Sequence, residues 1–146
     1  MNVIRILGPD DISTLIEFSK SDGFPYKLTS DEQVKPYCYN TILSDESPRT
    51  YGYFDDNKLV GVMTITCFRV FPHLDNPTGR IAHISGAYVL PEYRHKGIAT
   101  DLYKEIEKDM RHTWKPDYIC CDSSADDLYI KNGFIKSNES RLWKVL

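Results

Sequence analysis

The sequence predicts a single α/β domain built on a mixed sheet. Three observations point there. Segments of helical period alternate with segments of strand period along the chain. Short turn signals separate them, with no linkers, repeats or low-complexity tracts. The length of 146 residues suits one domain spanning 1–146, large enough to bury about 68–70% of its unfolded surface without disulfide or metal staples.

Each element has a local reason. Residues 3–7 read as a first strand that ends at Gly8-Pro9. Asp10 or Asp11 can then cap a helix carrying Ile12, Leu15 and Ile16 on one face. Residues 23–27 break it. Ser30 and Gln33 have capping-box spacing and open a second helical stretch. Pro36 interrupts that stretch, so residues 30–44 are expected as short, kinked helical pieces. Residues 51–54 and 58–68 form a predicted hairpin around Asp56-Asn57, with apolar residues at alternate positions. Residues 71–79 are a loop and 81–89 a strand, in which Gly86 marks a bulge or a close backbone approach. The helix predicted from Ile98 to about Arg111 places Ala99, Leu102, Ile106 and Met110 on one face, and its charged residues read as a solvated face. A short strand over 117–121 and a helix over 124–132 come next, the latter stopped by Asn132-Gly133. Residues 141–146 are predicted as a final strand.

Composition narrows the function classes. Eighteen Lys and Arg against 21 Asp and Glu give a net charge of −3, which argues against bulk nucleic-acid binding. No apolar leader opens the chain and no run reaches about 18 apolar residues, so neither a signal peptide nor a membrane span is expected. Cys38, Cys67, Cys120 and Cys121 form no CxxC pair; reduced thiols in a cytoplasmic protein, with no metal, are expected. Ten tyrosines suggest a wall or cleft that is partly apolar and partly wet. Phe24, Tyr26, Tyr37 and Tyr39 either pack under a loop or line a substrate wall.

Residues 87–99 carry the most information. An apolar strand breaks at Pro91, a basic turn Arg94-His95-Lys96-Gly97 follows, and an amphipathic helix opens at Ile98. A helix start leaves about four backbone N–H groups without intrahelical partners and carries roughly half a positive charge. Gly97 has no Cβ to keep a phosphate away, and Arg94 and Lys96 add formal charge. Taken alone, the same residues also read as an ordinary solvated connection.

The pattern Val89-x-Pro91-x-x-Arg94-x-x-Gly97-x-Ala99 resembles the acyl-CoA signature of the GNAT N-acetyltransferase superfamily. A second segment, Asp122-Ser-Ser-Ala125-Asp-Asp-Leu128-Tyr129-Ile-Lys131-Asn-Gly133-Phe134, is similar to that superfamily's Asn-x-x-Ala-x-x-Leu-Tyr-x-x-x-Gly-Phe segment. Asp122 departs from the family's frequent Asn, and an ionised carboxylate cannot donate to a carbonyl as an amide does. The resemblance implies a mostly antiparallel mixed sheet flanked by about four helices. Their order would be one strand, two helices, three strands, a helix, a strand, a helix and two closing strands.

The same resemblance implies an acetyl-CoA-dependent N-acetyltransferase acting on an amine of a small molecule or peptide, as monomer or homodimer. A non-catalytic acyl-CoA-sensing module of the same fold is the alternative. A phosphate binder unrelated to CoA would explain Gly97 and leave residues 122–134 unexplained. Ala87, Tyr88 and Val89 would lie beside the pantetheine arm. The pyrophosphate would sit on Arg94, His95, Lys96, Gly97, Ile98 and Ala99, with a hydroxyl from Thr100 and a charge from Lys131. Tyr129 occupies the family's general-acid position; without the resemblance it reads as a helix tyrosine packed on the sheet. His83, eleven positions before Arg94, stands where several members place a base; otherwise it is a strand histidine satisfied by a neighbour. Glu92, Glu46 and His73 are the weaker candidates for the base. Residues 24–51 and 71–79 are expected to shape the acceptor pocket.

Overall fold

A computed structural model of the chain describes residues 1–24, 30–38, 48–122, 126–137 and 142–146. The elements are β1 (Asn2–Ile6), α1 (Ile12–Phe18), α2 (Asp31–Val34), β2 (Pro48–Asp55), β3 (Lys58–Arg69), β4 (Arg80–Val89), α3 (Ile98–His112), β5 (Tyr118–Cys121) and α4 (Asp126–Lys131). The strands follow chain order, β1-β2-β3-β4-β5. The first three pairings are antiparallel and β4–β5 is parallel. The parallel step requires a crossover, which α3 provides.

The predicted hairpin closes at Asp56 and Asn57, with φ of 43° and 70°. That left-handed pair matches the twist of the flanking strands, and Asp and Asn tolerate it better than most residues. The bulge foreseen near Gly86 is real. Thr64 pairs with Gly86 and Ile65 with Ile84, so Ser85 is the extra residue.

Alternation sorts the sheet into two faces. One is covered by α3. It carries Gly61, Met63, Ile65 and Cys67 of β3 with Ala82 and Ile84 of β4, and Cys67 Sγ lies 3.7 Å from Met110 Sδ. Gly61 is needed there: a methyl group would sit 3.0 Å from Ile98. Arg49 and Tyr51 of β2 share this face. The Tyr51 hydroxyl donates to the Asp109 carboxylate, and burial followed by that bond pushes the phenol well above its ordinary range. Arg49 is fully buried, and its three guanidinium nitrogens have no hydrogen-bond partner among the described residues. The opposite face meets α1 and its following turn, where Phe18, Phe24 and Tyr88 pack edge to face at 5.1–5.7 Å.

Two expectations are corrected. Asp11 does not cap α1 with its side chain. Its carboxylate instead accepts the Gly8 N–H and a two-pronged contact from Arg5 at 2.7 and 2.8 Å, a stronger use of a charged acceptor. The short, kinked pieces expected over 30–44 are present among the described residues as the single turn of α2 and a 3-10 turn, Lys35–Tyr37, with Pro36 at the break. Finally, the described sheet stops at five strands. Residues 142–146 form no strand, and Leu142 and Trp143 are exposed. Alternation marks a segment able to pair but does not supply the partner edge. The outer edge of β5 faces a cleft of about 770 Å³ lined by Tyr103, Cys121, Tyr129 and Phe134 among others.

Candidate active site

The site is built where β4 loses a neighbour. β3 accompanies β4 as far as Val89, whereas β5 pairs only with residues 81–84. From Ser85 onward, β4 has no strand on its β5 side among the described residues. Ala87, Tyr88 and Val89 therefore present an open edge, the arrangement that lets an extended ligand add as a strand. The Tyr88 side chain turns the other way. It is buried, donates to the Asp22 carbonyl, and packs in the aromatic cluster. Only its backbone is available at the edge.

The turn after β4 is held open by its own side chains. Arg94 Nε donates to the Val89 carbonyl at 2.9 Å, and the guanidinium lies 5.3 Å from the Tyr88 ring. Lys96 Nζ sits 5.3 Å from the Tyr93 ring, and Lys58 Nζ 5.2 Å from the same ring. His95 and Gly97 have φ of 61° and 83°. The first helical bond of α3 runs from Asp101 N–H to Gly97 at 2.9 Å, and no side chain caps the helix. The N–H groups of His95, Lys96, Gly97, Ile98, Ala99 and Thr100 therefore make no hydrogen bond within the described protein. Nothing lies within 4 Å of the position a Cβ would take on Gly97. Ile98 is buried and anchors the helix start. Six donors, an open cradle and a helix dipole fit a phosphate group. Lys131 is exposed in the last turn of α4.

Tyr129 lies on the α3 side of the sheet. It is 5% exposed, its ring centroid 6.4 Å from that of Tyr103 and 5.1 Å from that of Phe134. Burial, with a smaller contribution from Cys121, pushes its phenol up to about 12, so it stays protonated in neutral solution. His83 is on the other side, between Thr66 of β3 and Cys120 of β5. Its Nε2 is 3.4 Å from Asp122 Oδ2. No local pattern signals that pairing, because the partners come from different strands. Of the weaker candidates, Glu92 faces Lys58 at 3.8 Å. His73 is turned into its own loop, where Nδ1 accepts the Asp75 N–H at 3.3 Å. Glu46 lies outside the described residues.

A second cavity, about 430 Å³, opens on the α1 face against the bulge. Its lining includes Leu15, Phe24, Tyr37, Thr64, Ser85 and Ala87. Residues from the expected 24–51 region line it and none from 71–79 does. Leu15 and Ser85 were not foreseen; a helix leucine and a strand serine carry no individual signal. Among the described residues, no helix is long and apolar enough to cross a membrane, and no group of three His, Cys, Asp or Glu could hold a metal ion.

An open-edged sheet beside an amide-lined turn at a helix start suits an extended, phosphate-bearing ligand. The profile of the acetyltransferase (GNAT) family matches residues 12–134, and the chain belongs to that family. An aminoglycoside N(6')-acetyltransferase type 1 from Acinetobacter baumannii is 37% identical over 49 residues, which is 34% of this chain and 30% of that protein's length. A predicted acetyltransferase from Clostridium acetobutylicum, solved with acetyl-CoA, superposes with a TM-score of 0.79 at 23% identity, covering 99% of this chain and 96% of the other. A ribosomal-protein-alanine N-acetyltransferase from Brucella melitensis biovar Abortus superposes with a TM-score of 0.69 at 17% identity, covering 100% and 99%.

Proposed function

We propose that this enzyme transfers an acetyl group from acetyl-CoA to an amine of a small molecule or peptide by direct attack on the thioester. The observation that carries the reading is the run of six unbonded N–H groups from His95 to Thr100 beside the open edge of β4. Those groups would hold the pyrophosphate, and residues 87–89 would hold the pantetheine arm. Acetyl-CoA supplies the activated acyl group.

The chain's own residues have three tasks. The cavity at the β4 bulge holds the acceptor and aims its nitrogen at the open edge. His83 takes the proton that the amine sheds. A lysine-type amine, with an ordinary value near 10.4, is neutral in only about one molecule in a few thousand at pH 7, so a base is needed. Tyr129, kept protonated by burial, gives its proton to the departing sulfur. A buried, protonated tyrosine on the cofactor side favours catalysis over a purely sensing role. The four cysteines are free thiols, which supports a reducing compartment such as the cytoplasm.

The test is thiol release from acetyl-CoA across panels of aminoglycosides, polyamines, amino acids and peptide N-termini. Acceptor-dependent release with at least one panel, and mass gain of one acetyl group on the amine, is the expected result. Binding of CoA without release for any amine would support the sensing module.

A further inference from the structure

His83 sits in a ladder that fixes its neighbours. Thr66 is its partner on β3 and Cys120 its partner on β5. The β4–β5 ladder ends at Ile84 and Cys121, so Asp122 is the first residue after the strands part. Alternation puts residues 120 and 122 on the same face as His83. The Asp122 carboxylate turns back to within 3.4 Å of His83 Nε2, with the histidine 27% exposed and the aspartate 55%.

We propose that Asp122 is a positioning residue for His83: it accepts the Nε2–H and thereby leaves the Nδ1 lone pair as the base. The inference rests on the reading of His83 as the base. A carboxylate can only accept, so a hydrogen bond across this gap needs the hydrogen on the ring nitrogen facing it, and in a neutral imidazole the other nitrogen is then the acceptor. An amide at 122 would not make that selection, because it can present either an oxygen or an N–H. Among the described residues, the titratable side chains that the ladders place beside His83 are Tyr118, Cys120 and Asp122. Burial pushes the Cys120 thiol up to about 11, so it stays neutral, and Thr66 carries no charge. Asp122 thus supplies the charge at this position.

Protons balance across the step. As the amine nitrogen bonds to the acyl carbon, the carbon–sulfur bond breaks; the amine's proton passes to Nδ1, and the departing sulfur takes a proton from Tyr129, which regains one from water. The ring becomes an imidazolium whose Nε2–H still faces the carboxylate, and the positive charge is offset there. The proton then leaves to water, restoring the neutral ring for the next turnover.

Two measurements on the full chain test this. Long-range ¹H–¹⁵N correlation of the neutral His83 ring should show the Nε2–H tautomer in the wild type and a mixture in Asp122→Ala. Steady-state kinetics with an accepted amine should show kcat of Asp122→Ala down about 10-fold or more, a part of the 10²–10⁴ that a base contributes, with KM for acetyl-CoA unchanged. Asp122→Asn, which keeps the shape and one acceptor oxygen, should recover part of the loss and serves if the alanine variant fails to fold. An Nδ1–H tautomer in the wild type, or kcat within two-fold of wild type in both variants, overturns the proposal. A raised KM for acetyl-CoA with kcat intact also overturns it, by making residue 122 a cofactor contact. The base reading fails separately, through a His83→Ala variant of undiminished kcat, and the tautomer measurement does not depend on that result.

Discussion

The two halves of β4 belong to one strand and meet different surroundings. Over residues 81–84 the strand is paired on both sides, and Trp114 Nε1 donates to the Ile81 carbonyl at 3.2 Å. Beyond Ile84 a bulge interrupts the β3 register, β5 is gone, and the next turn leaves its N–H groups unbonded. The first half commits its backbone groups to the fold. The second half is paired with β3 alone and leaves its other edge open among the described residues. Change at the core-facing residues of the first half, on the side away from His83, should therefore cost stability, and change in the second half should cost function in a protein that stays folded.

The largest effect that sharpens this contrast concerns Tyr129. Tyr129→Phe removes one oxygen from a ring whose packing remains. We expect kcat to fall about 10²–10⁴-fold, or roughly 3–5 kcal/mol of barrier, with the melting temperature and CoA affinity nearly unchanged. A variant with more than about half the wild-type turnover, where chemistry limits the rate, would return Tyr129 to the core.

In the doubly paired half, Ile84 is 4% exposed against Ile65 and Cys121. Ile84→Ala should lower unfolding free energy by about 2–5 kcal/mol, measured by urea titration. Turnover per folded molecule should stay close to wild type. A loss of turnover with unchanged stability would break the division between the two halves.

Gly97→Glu places a side chain and a negative charge in the open cradle. Calorimetry should find CoA affinity reduced at least about 10²-fold, or roughly 3 kcal/mol. The left-handed φ at this position adds strain for any Cβ, so circular dichroism should accompany the measurement. Undiminished affinity in a folded variant would remove the turn from the binding site.

The smallest expected effect is on the pH profile. A tyrosine acid is lost only as pH rises through its pKa, and burial holds Tyr129 near 12. No fall in kcat attributable to this group should occur below about pH 11. An alkaline fall with a midpoint near the ordinary tyrosine value of about 10, absent from Tyr129→Phe, would show the hydroxyl to be wetter than its surroundings indicate.

Much of the frame was legible in the sequence because it depends on local pattern. Alternation located β2, β3 and β4; Asp56-Asn57 located their hairpin; and the stripe from Ile98 to Met110 located α3. The turn from Arg94 to Gly97 was legible for the same reason, since strand, proline, basic turn, glycine and helix are contiguous. Features made by residues far apart in the chain were not. Asp122 read only as a departure from a family pattern, and strand pairing was needed to bring it to His83. Asp11 read as a helix cap until Arg5 was seen beside it. The last strand failed in the opposite way: a good local pattern over 141–146 met no partner among the described residues.

Arg49 has a consequence for the motions of this protein. A buried guanidinium whose hydrogen bonds the described residues do not meet gains by reaching water. Any fluctuation that lifts the end of α3 from β2 rehydrates it, and that gain lowers the cost of opening. The α3 face, dense along most of its length, thus contains its own point of release near Asp109 and Met110. Amide hydrogen exchange should follow a low-energy local opening at residues 106–110 and a costlier one at 102–105, although both stretches are helical. Arg49→Met, of similar bulk and no charge, should slow exchange at the first stretch and leave the second unchanged. A single buried charge would then set the rhythm with which one end of the domain breathes.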